Sequence, residues 1–177
     1  GVTVFQLDAG MATGRIYVSR ELEIDGLESA GQLLERMAAL GPTVISAAFD
    51  KILRNIAPLT QSEEGISYAA KVHKVDARID WNNSADLIER QVRAFTPNPG
   101  AWTTWRGSSL KVTNAHGAHS PTPLMPRDIF VQDGLLLVGC GSREAIEVKR
   151  LTPLGKRDMA VVDWLTGARL ISGERLD

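Results

Sequence analysis

Eight basic side chains in the second half of this 177-residue chain are spaced for one kind of chemistry. Lys71, Lys74 and Arg78 form one cluster, and Arg106, Lys111, Lys149, Lys156 and Arg157 fall on or between short extended runs. Cations of this kind meet phosphates, and several of them neutralising one polyanion give binding that weakens steeply with salt. Trp102 and Trp105 beside Arg106 offer faces for stacking a base or ribose. Three apart on a strand, the two rings point to opposite sides, so at least one belongs to a core. The charge distribution fits a polyanion partner. Residues 1–65 carry five Lys/Arg against nine Asp/Glu, a net of −4, and residues 66–177 carry fifteen against twelve, a net of +3. A solvated surface of mixed sign explains that split equally well.

Other chemistries find little support. His116 and His119 are three apart, but beside Gly117 and prolines in a loop with no nearby carboxylate, and His73 stands alone, so no metal site is expected. Cys140, the only cysteine, lies between Gly139 and Gly141 in an apolar hairpin and reads as a small buried residue. One cysteine excludes a disulfide within the chain, which fits a reducing cytoplasm. Ser108, Ser109 and Ser142 lack a nucleophile-elbow context, and Gly139-Cys140-Gly141 does not lead a strand into a helix as a phosphate loop would. With 44% hydrophobic and 23% charged residues the composition is that of a globular protein. No apolar run approaches the roughly 20 residues that span a bilayer. The first residues show no signal pattern. A cytoplasmic protein with no membrane partner, acting as a monomer, is the expectation.

The elements that must position these groups fall into two halves. Residues 2–7 read as a buried strand and 15–24 as a second strand, with Gly10 and Gly14 in the loop between them. Ala30, Leu33, Leu34, Met37 and Leu40 stripe a first helix, Gly41-Pro42 breaks it, and Val44, Ile45, Ala48, Ile52 and Ile56 face the core from a second helix. Two strands and two helices cannot cover a parallel sheet on both faces, so this half reads as part of a larger α/β layer. Residues 57–67 are polar, with Pro58 and Gly65, and read as a linker. Asn82, Asn83 and Ser84 supply turn and cap chemistry for a helix that runs to Phe95, with Leu87, Ile88, Val92 and Phe95 on one face, and Pro97 and Pro99 stop it. Strands follow near 102–105, 109–114, 128–132, 135–138 and 145–151, the third and fourth joined through Asp133-Gly134, and a short helix spans 159–165. About five strands with an added helix suggest a small barrel of the oligonucleotide-binding type.

The order of motifs carries a family resemblance. Tyr68-Ala69-Ala70-Lys71-Val72, then Ala77-Arg78-Ile79-Asp80-Trp81, the helix ending Arg93-Ala94-Phe95, Pro97-Asn98-Pro99 and the Trp102–Trp105 strand resemble the approach linker and C-terminal domain of methionyl-tRNA formyltransferases. Pro153-Leu154-Gly155-Lys156-Arg157-Asp158-Met159 and Trp164-Leu165-Thr166-Gly167 resemble that family's P-x-G-K-x-x-M turn and the F-L-x-G that follows. Gly1 to Met11 resembles the last strand and loop of its formyl-transfer domain. The resemblance covers the whole chain but only the second half of the enzyme.

The resemblance implies an α/β plus β architecture. Residues 1–57 would be the tail of a Rossmann-like formyltransferase domain, 58–79 a linker, and 80–177 a small OB-like β-barrel with added helices that binds tRNA. It implies formyl transfer from 10-formyltetrahydrofolate to the amino group of Met on initiator tRNA, without a metal. Asp8, Gly10, Met11 and Ala12 would lie on the loop that contacts the folate. Lys71, Lys74, Arg78, Arg106, Lys111, Lys149, Lys156 and Arg157 would be the tRNA-binding candidates. The family's loop carries an acid in L-D-x-G that works with an Asn and a His from further upstream. Here Met11-Ala12-Thr13-Gly14 occupies those positions, so Ala12 stands at the acid's place with Asp8 four residues earlier, and a methyl group neither holds a proton nor orients water. The chain by itself is therefore expected to be inactive. Alternatives are a non-catalytic RNA-binding or assembly fragment, a sugar-nucleotide formyltransferase, or a formyltetrahydrofolate hydrolase.

Overall fold

A computed structural model describes all 177 residues, Gly1–Asp177, which form two compact units, Gly1–Lys71 and Val72–Asp177. In the first unit β1 (Val2–Phe5) and β2 (Ile16–Arg20) pair antiparallel, with Val4 opposite Val18 and a bulge between Val4 and Phe5. β1 is half-buried rather than the buried strand its composition suggests, because only one helix covers this two-stranded sheet. That helix is α1 (Ala30–Leu53). Ser29 caps it: the hydroxyl accepts from Gln32 N while Gln32 Oε1 accepts from Ser29 N, a capping box.

The sequence suggests two helices parted at Gly41-Pro42, whereas α1 is one helix with Pro42 inside it. A proline here removes one backbone bond and costs about 3 kcal/mol in an isolated helix. A buried stripe continuous across it outweighs that cost. Leu40, Val44, Ala47 and Ala48 pack with Val2, Val4, Tyr17 and Val18, and the stripe has no gap at the proline. Leu34, Ile45, Phe49 and Ile52 form a second apolar stripe on another side and remain 42% to 60% exposed. A two-stranded sheet reaches only one side of the helix, so Leu34, Ile45, Ile52 and Ile56 do not face the core as their spacing suggests.

The second unit is one antiparallel sheet in the order β3 (Ala101–Trp105), β4 (Ser108–Ala118), β7 (Ala145–Pro153), β6 (Leu135–Gly139), β5 (Ile129–Gln132), with β8 (Met159–Ala160) added to β7. α2 (Ala85–Phe95) and α3 (Val161–Ala168) cover one face. Ile88 and Val92 of α2 and Trp164 of α3 bury among Val112, Val138, Ile146, Val148 and Leu151. Trp81 is fully enclosed, and its indole N–H donates to Thr103 Oγ1 at 3.1 Å, which satisfies the one buried polar side chain. Met159 and Ala160, expected in a helix, pair instead with Leu151 and Arg150.

The sheet is open, so the barrel expected from strand number is not closed: β3 and β5 do not pair with each other. Between these edges lie the last residues of the chain. Ile129 N donates to Glu174 O, Leu176 N to Arg127 O, and Asp177 N to Thr104 O. The first two make an isolated antiparallel bridge between Asp128 and Arg175, with Gly173 at φ +78 before it, and not a continuous strand ladder. No helix is long and apolar enough to cross a membrane.

Candidate nucleic-acid interface

The outward face of β3, β4 and β7 is read directly from register. Trp102 stands opposite Lys111, and Lys111 opposite Thr152. Alternation puts Ala101, Thr103, Leu110, Val112 and Leu151 into the core and leaves Trp102, Lys111 and Thr152 on the other side. Lys111 lies along Gly100, whose φ is +84. A β-carbon there would stand 2.8 Å from Lys111 Cδ, so glycine makes room for the lysine stem.

Lys74 and Arg78 arrive at this face from the segment before Trp81. A short 3₁₀ turn, Lys74–Ala77, starts where His73 N donates to Asp76 Oδ2 at 2.8 Å. The turn is fastened on two sides. Gln91 Nε2 on α2 donates to Asp76 O and Arg78 O, and Trp102 Nε1 donates to Lys74 O at 2.7 Å. Ile79 N donates to Trp102 O at 2.8 Å, which aligns Arg78 beside the tryptophan. As a result Lys74 Nζ and Arg78 Cζ each lie 5.5 Å from the Trp102 ring centroid, within cation–π range. Lys74, Arg78, Lys111, Lys156 and Arg157 are in no ion pair, so their charge is available to a ligand.

The other candidates stand apart. Arg106 is bound within the fold: Nε and NH2 donate to the Glu174 carboxylate at 2.6 and 3.0 Å, NH1 to Ala168 O and NH2 to Arg169 O at 3.2 Å. Its guanidinium also lies 4.3 Å from the Trp105 centroid, and Trp105 meets Trp164 edge-on at 5.0 Å. Arg106 therefore closes the core near α3. The hydrogen bonds from Arg106 hold the Glu174 carboxyl below its usual range despite some burial. Lys149 is paired with Glu147. Lys71, at the end of the first unit, is exposed.

Arg127 has no signal in the sequence, since it lies in an irregular stretch far from the basic cluster. The fold brings it to an open concavity of about 270 Å³ lined also by Arg78, Ile79, Asp80 and Asp177. Hydrogen bonds from Asn82 hold the Asp80 carboxyl low, and the Arg127 charge adds to this.

The 8–14 loop is built to hold a shape. Asp8 Oδ1 accepts from Gly10 N at 3.0 Å and from Thr13 Oγ1 at 2.8 Å, so this carboxylate is turned into its own loop. Gln61 donates through Nε2 to Ala12 O at 2.8 Å and to Gly14 O at 2.6 Å. Ala12 adopts φ +57, and Met11 is 89% exposed. The loop offers backbone and one apolar side chain, and no free acid at position 12.

Elsewhere, His116 Nδ1 lies 3.7 Å from Glu89 Oε1, and no three His, Cys, Asp or Glu side chains converge as a metal cage would require. Cys140 is fully buried, and desolvation, with the Glu144 charge, pushes its thiol up to about 11, which leaves it unreactive.

Residues 71–169 match the family model described as formyl transferase, C-terminal domain. The chain is 35% identical over 176 residues to the methionyl-tRNA formyltransferase of Thermobifida fusca, covering 99% of this chain and 56% of that protein. It is 37% identical over 174 residues to that of Mycobacterium tuberculosis, covering 96% and 55%. The chain thus spans about half the length of the curated relatives it matches. Among solved structures it is similar to HypX from Aquifex aeolicus in complex with tetrahydrofolic acid, with a TM-score of 0.71 at 16% identity over 92% of this chain and 29% of that one. It is also similar to the N-formyltransferase from Helicobacter canadensis, determined with folinic acid and dTDP-3-aminofucose. There the TM-score is 0.60 at 16% identity, over 82% of this chain and 54% of that one.

Proposed function

This chain belongs to the formyl transferase C-terminal domain family, and on that premise we propose that it serves formylation of methionine carried on initiator tRNA. The donor is 10-formyltetrahydrofolate, the setting is the cytoplasm, and the part played by residues 72–177 is to hold the RNA. The observation that carries this reading is the outward face on which exposed Lys74 and Arg78 lie against half-buried Trp102, with Lys111 opposite it in register and none of the three cations in an ion pair. Lysine and arginine meet backbone phosphates there, Trp102 offers a stacking surface, and Arg127 joins Arg78 at the rim. Lys156 and Arg157 extend the charge on the turn after β7.

In the reaction the methionyl amine attacks the formyl carbon, a proton leaves the nitrogen, and tetrahydrofolate departs. The RNA-holding face contributes proximity: an acceptor end fixed in place converts an encounter into a nearly unimolecular step. The Asp8-anchored loop supplies surface for the folate.

Ala12 favours a second reading, in which the chain binds RNA without chemistry, because the acid of the family's loop is missing. Two measurements separate the readings. Binding of initiator and elongator tRNA across a salt series should favour the initiator, and Lys74→Ala with Arg78→Ala should weaken it about tenfold and flatten the salt slope by about two phosphate contacts. Equal affinity of the double variant would sink the RNA-face reading. Formyl transfer to methionyl-tRNA is expected to be undetectable with this chain alone, and turnover by it would overturn the assignment of Ala12.

A further inference from the structure

An acid holds the basic turn after β7. Leu154 N donates to Ser109 O, Lys156 N to Pro153 O, both at 3.0 Å, and Gly155 takes φ +72 at the third position, as a type II turn requires. Lys156 and Arg157 follow, exposed. Asp158 then turns back to the sheet. Its Oδ2 accepts from Arg150 Nε at 2.7 Å and lies 2.6 Å from Arg150 NH2, while its Oδ1 accepts from the hydroxyls of Thr113 and of Thr152, the latter at 3.3 Å. Thr113 belongs to β4, and Arg150 and Thr152 to β7, so one carboxylate ties the turn to two neighbouring strands. Thr152 is the register partner of Lys111, and Thr113, at the bulge between Val112 and Asn114, brings its hydroxyl to the same Asp158 oxygen as Thr152, so the anchors meet on the outward side with Lys111 and Trp102. Burial opposes ionisation of Asp158, but the Thr113 and Arg150 hydrogen bonds and the guanidinium charge outweigh it and hold the carboxyl below its usual range.

The pair is too exposed to matter much to global stability, with Arg150 49% and Asp158 40% accessible. What the converging donors supply is direction. We propose that Asp158 is a positioning residue for the RNA face: it clamps the turn so that Lys156 and Arg157 are presented beside Lys111, and it makes Arg150 part of the clamp instead of a phosphate contact. This rests on the RNA-binding reading above. It assigns a negative side chain a favourable role on a surface that meets a polyanion.

That sign makes the test sharp. Charge alone predicts that Asp158→Asn tightens RNA binding, since a repulsive group is removed. The clamp predicts the reverse. With the full 177-residue chain and an initiator tRNA transcript, Asp158→Asn should weaken binding about three- to tenfold and reduce the salt slope, because ordered cations are lost. Arg150→Gln should do the same, and the exchanged pair Arg150→Asp/Asp158→Arg should recover affinity relative to either single change. Tighter or unchanged binding by Asp158→Asn, in a protein where Lys156→Ala/Arg157→Ala does weaken binding, overturns the clamp and leaves the RNA face standing. No loss from Lys156→Ala/Arg157→Ala overturns the turn as an RNA contact, and the clamp with it. Should Asp158→Asn lower the melting temperature, Thr113→Val removes one donor without changing charge: weaker binding supports the clamp, and unchanged binding overturns it.

Discussion

Ala12 shows how much a single backbone conformation retains. Its φ of +57 belongs to the left-handed region, where Asp and Asn are enriched and alanine is not. The hydrogen bonds from Gln61 fix that backbone through the carbonyls of residues 12 and 14, independently of the side chain at 12. Ala12→Asp should therefore fold, with stability unchanged to within about 0.5 kcal/mol in thermal melts. It should confer no formyl transfer on this chain alone, yet raise activity in a chain extended by the family's upstream Asn and His. A loss of several kcal/mol would mean the loop cannot seat a carboxylate. The alanine at position 12 is read from the sequence through the family motif. The clamp from Gln61 is not, because a glutamine in a polar linker gives no sign of its partner. Arg106 shows the same limit: beside two tryptophans it reads as an RNA contact, and only the fold reveals its pairing with Glu174.

At the scale of the element, periodicity foretold most of what formed. A cap within Asn82–Ser84, the burial of Ile88 and Val92 on α2 and the strands on either side of Asp133-Gly134 follow from local pattern, whereas Leu87 of the same expected stripe is 53% exposed. α1 is where pattern and punctuation conflict. Gly41-Pro42 is a strong local breaker, but a helix also answers to what it packs on, and the β1–β2 pair packs on Leu40 just before the proline and on Val44, Ala47 and Ala48 after it. Pro42→Ala should restore the missing backbone bond and stabilise α1 by about 1–3 kcal/mol, measured as a raised denaturation midpoint of helicity. A lowered midpoint would mean that proline ring packing, and not the stripe, holds the helix straight. The open edge of the sheet was equally hidden. Strand count suggests a barrel, but closure depends on whether first and last strands can meet, and here the chain's own last residues occupy that space.

Over the whole molecule, the two halves differ in charge as the sequence indicates, and the basic half places Lys74 and Arg78 over Trp102, with Lys111 opposite it in register. That gathering depends on strand register and on Gln91, neither of which spacing reveals. Charge does not govern every encounter, however. The outward stripe of α1 sets Leu34, Ile45, Phe49 and Ile52 at helical intervals against water. Such a seam suits another apolar helix, a second copy included. In sedimentation velocity the chain should self-associate with rising concentration, and Ile45→Glu/Phe49→Lys should return it to a single slow species. A chain that stays monomeric at all concentrations would contradict this. If the basic face holds RNA as proposed, the two surfaces respond oppositely to ionic strength: high salt would loosen the RNA and strengthen apolar adhesion. On that reading, purification buffers salty enough to strip nucleic acid would also promote precipitation, and the soluble fraction recovered would depend on the order in which salt is raised and lowered.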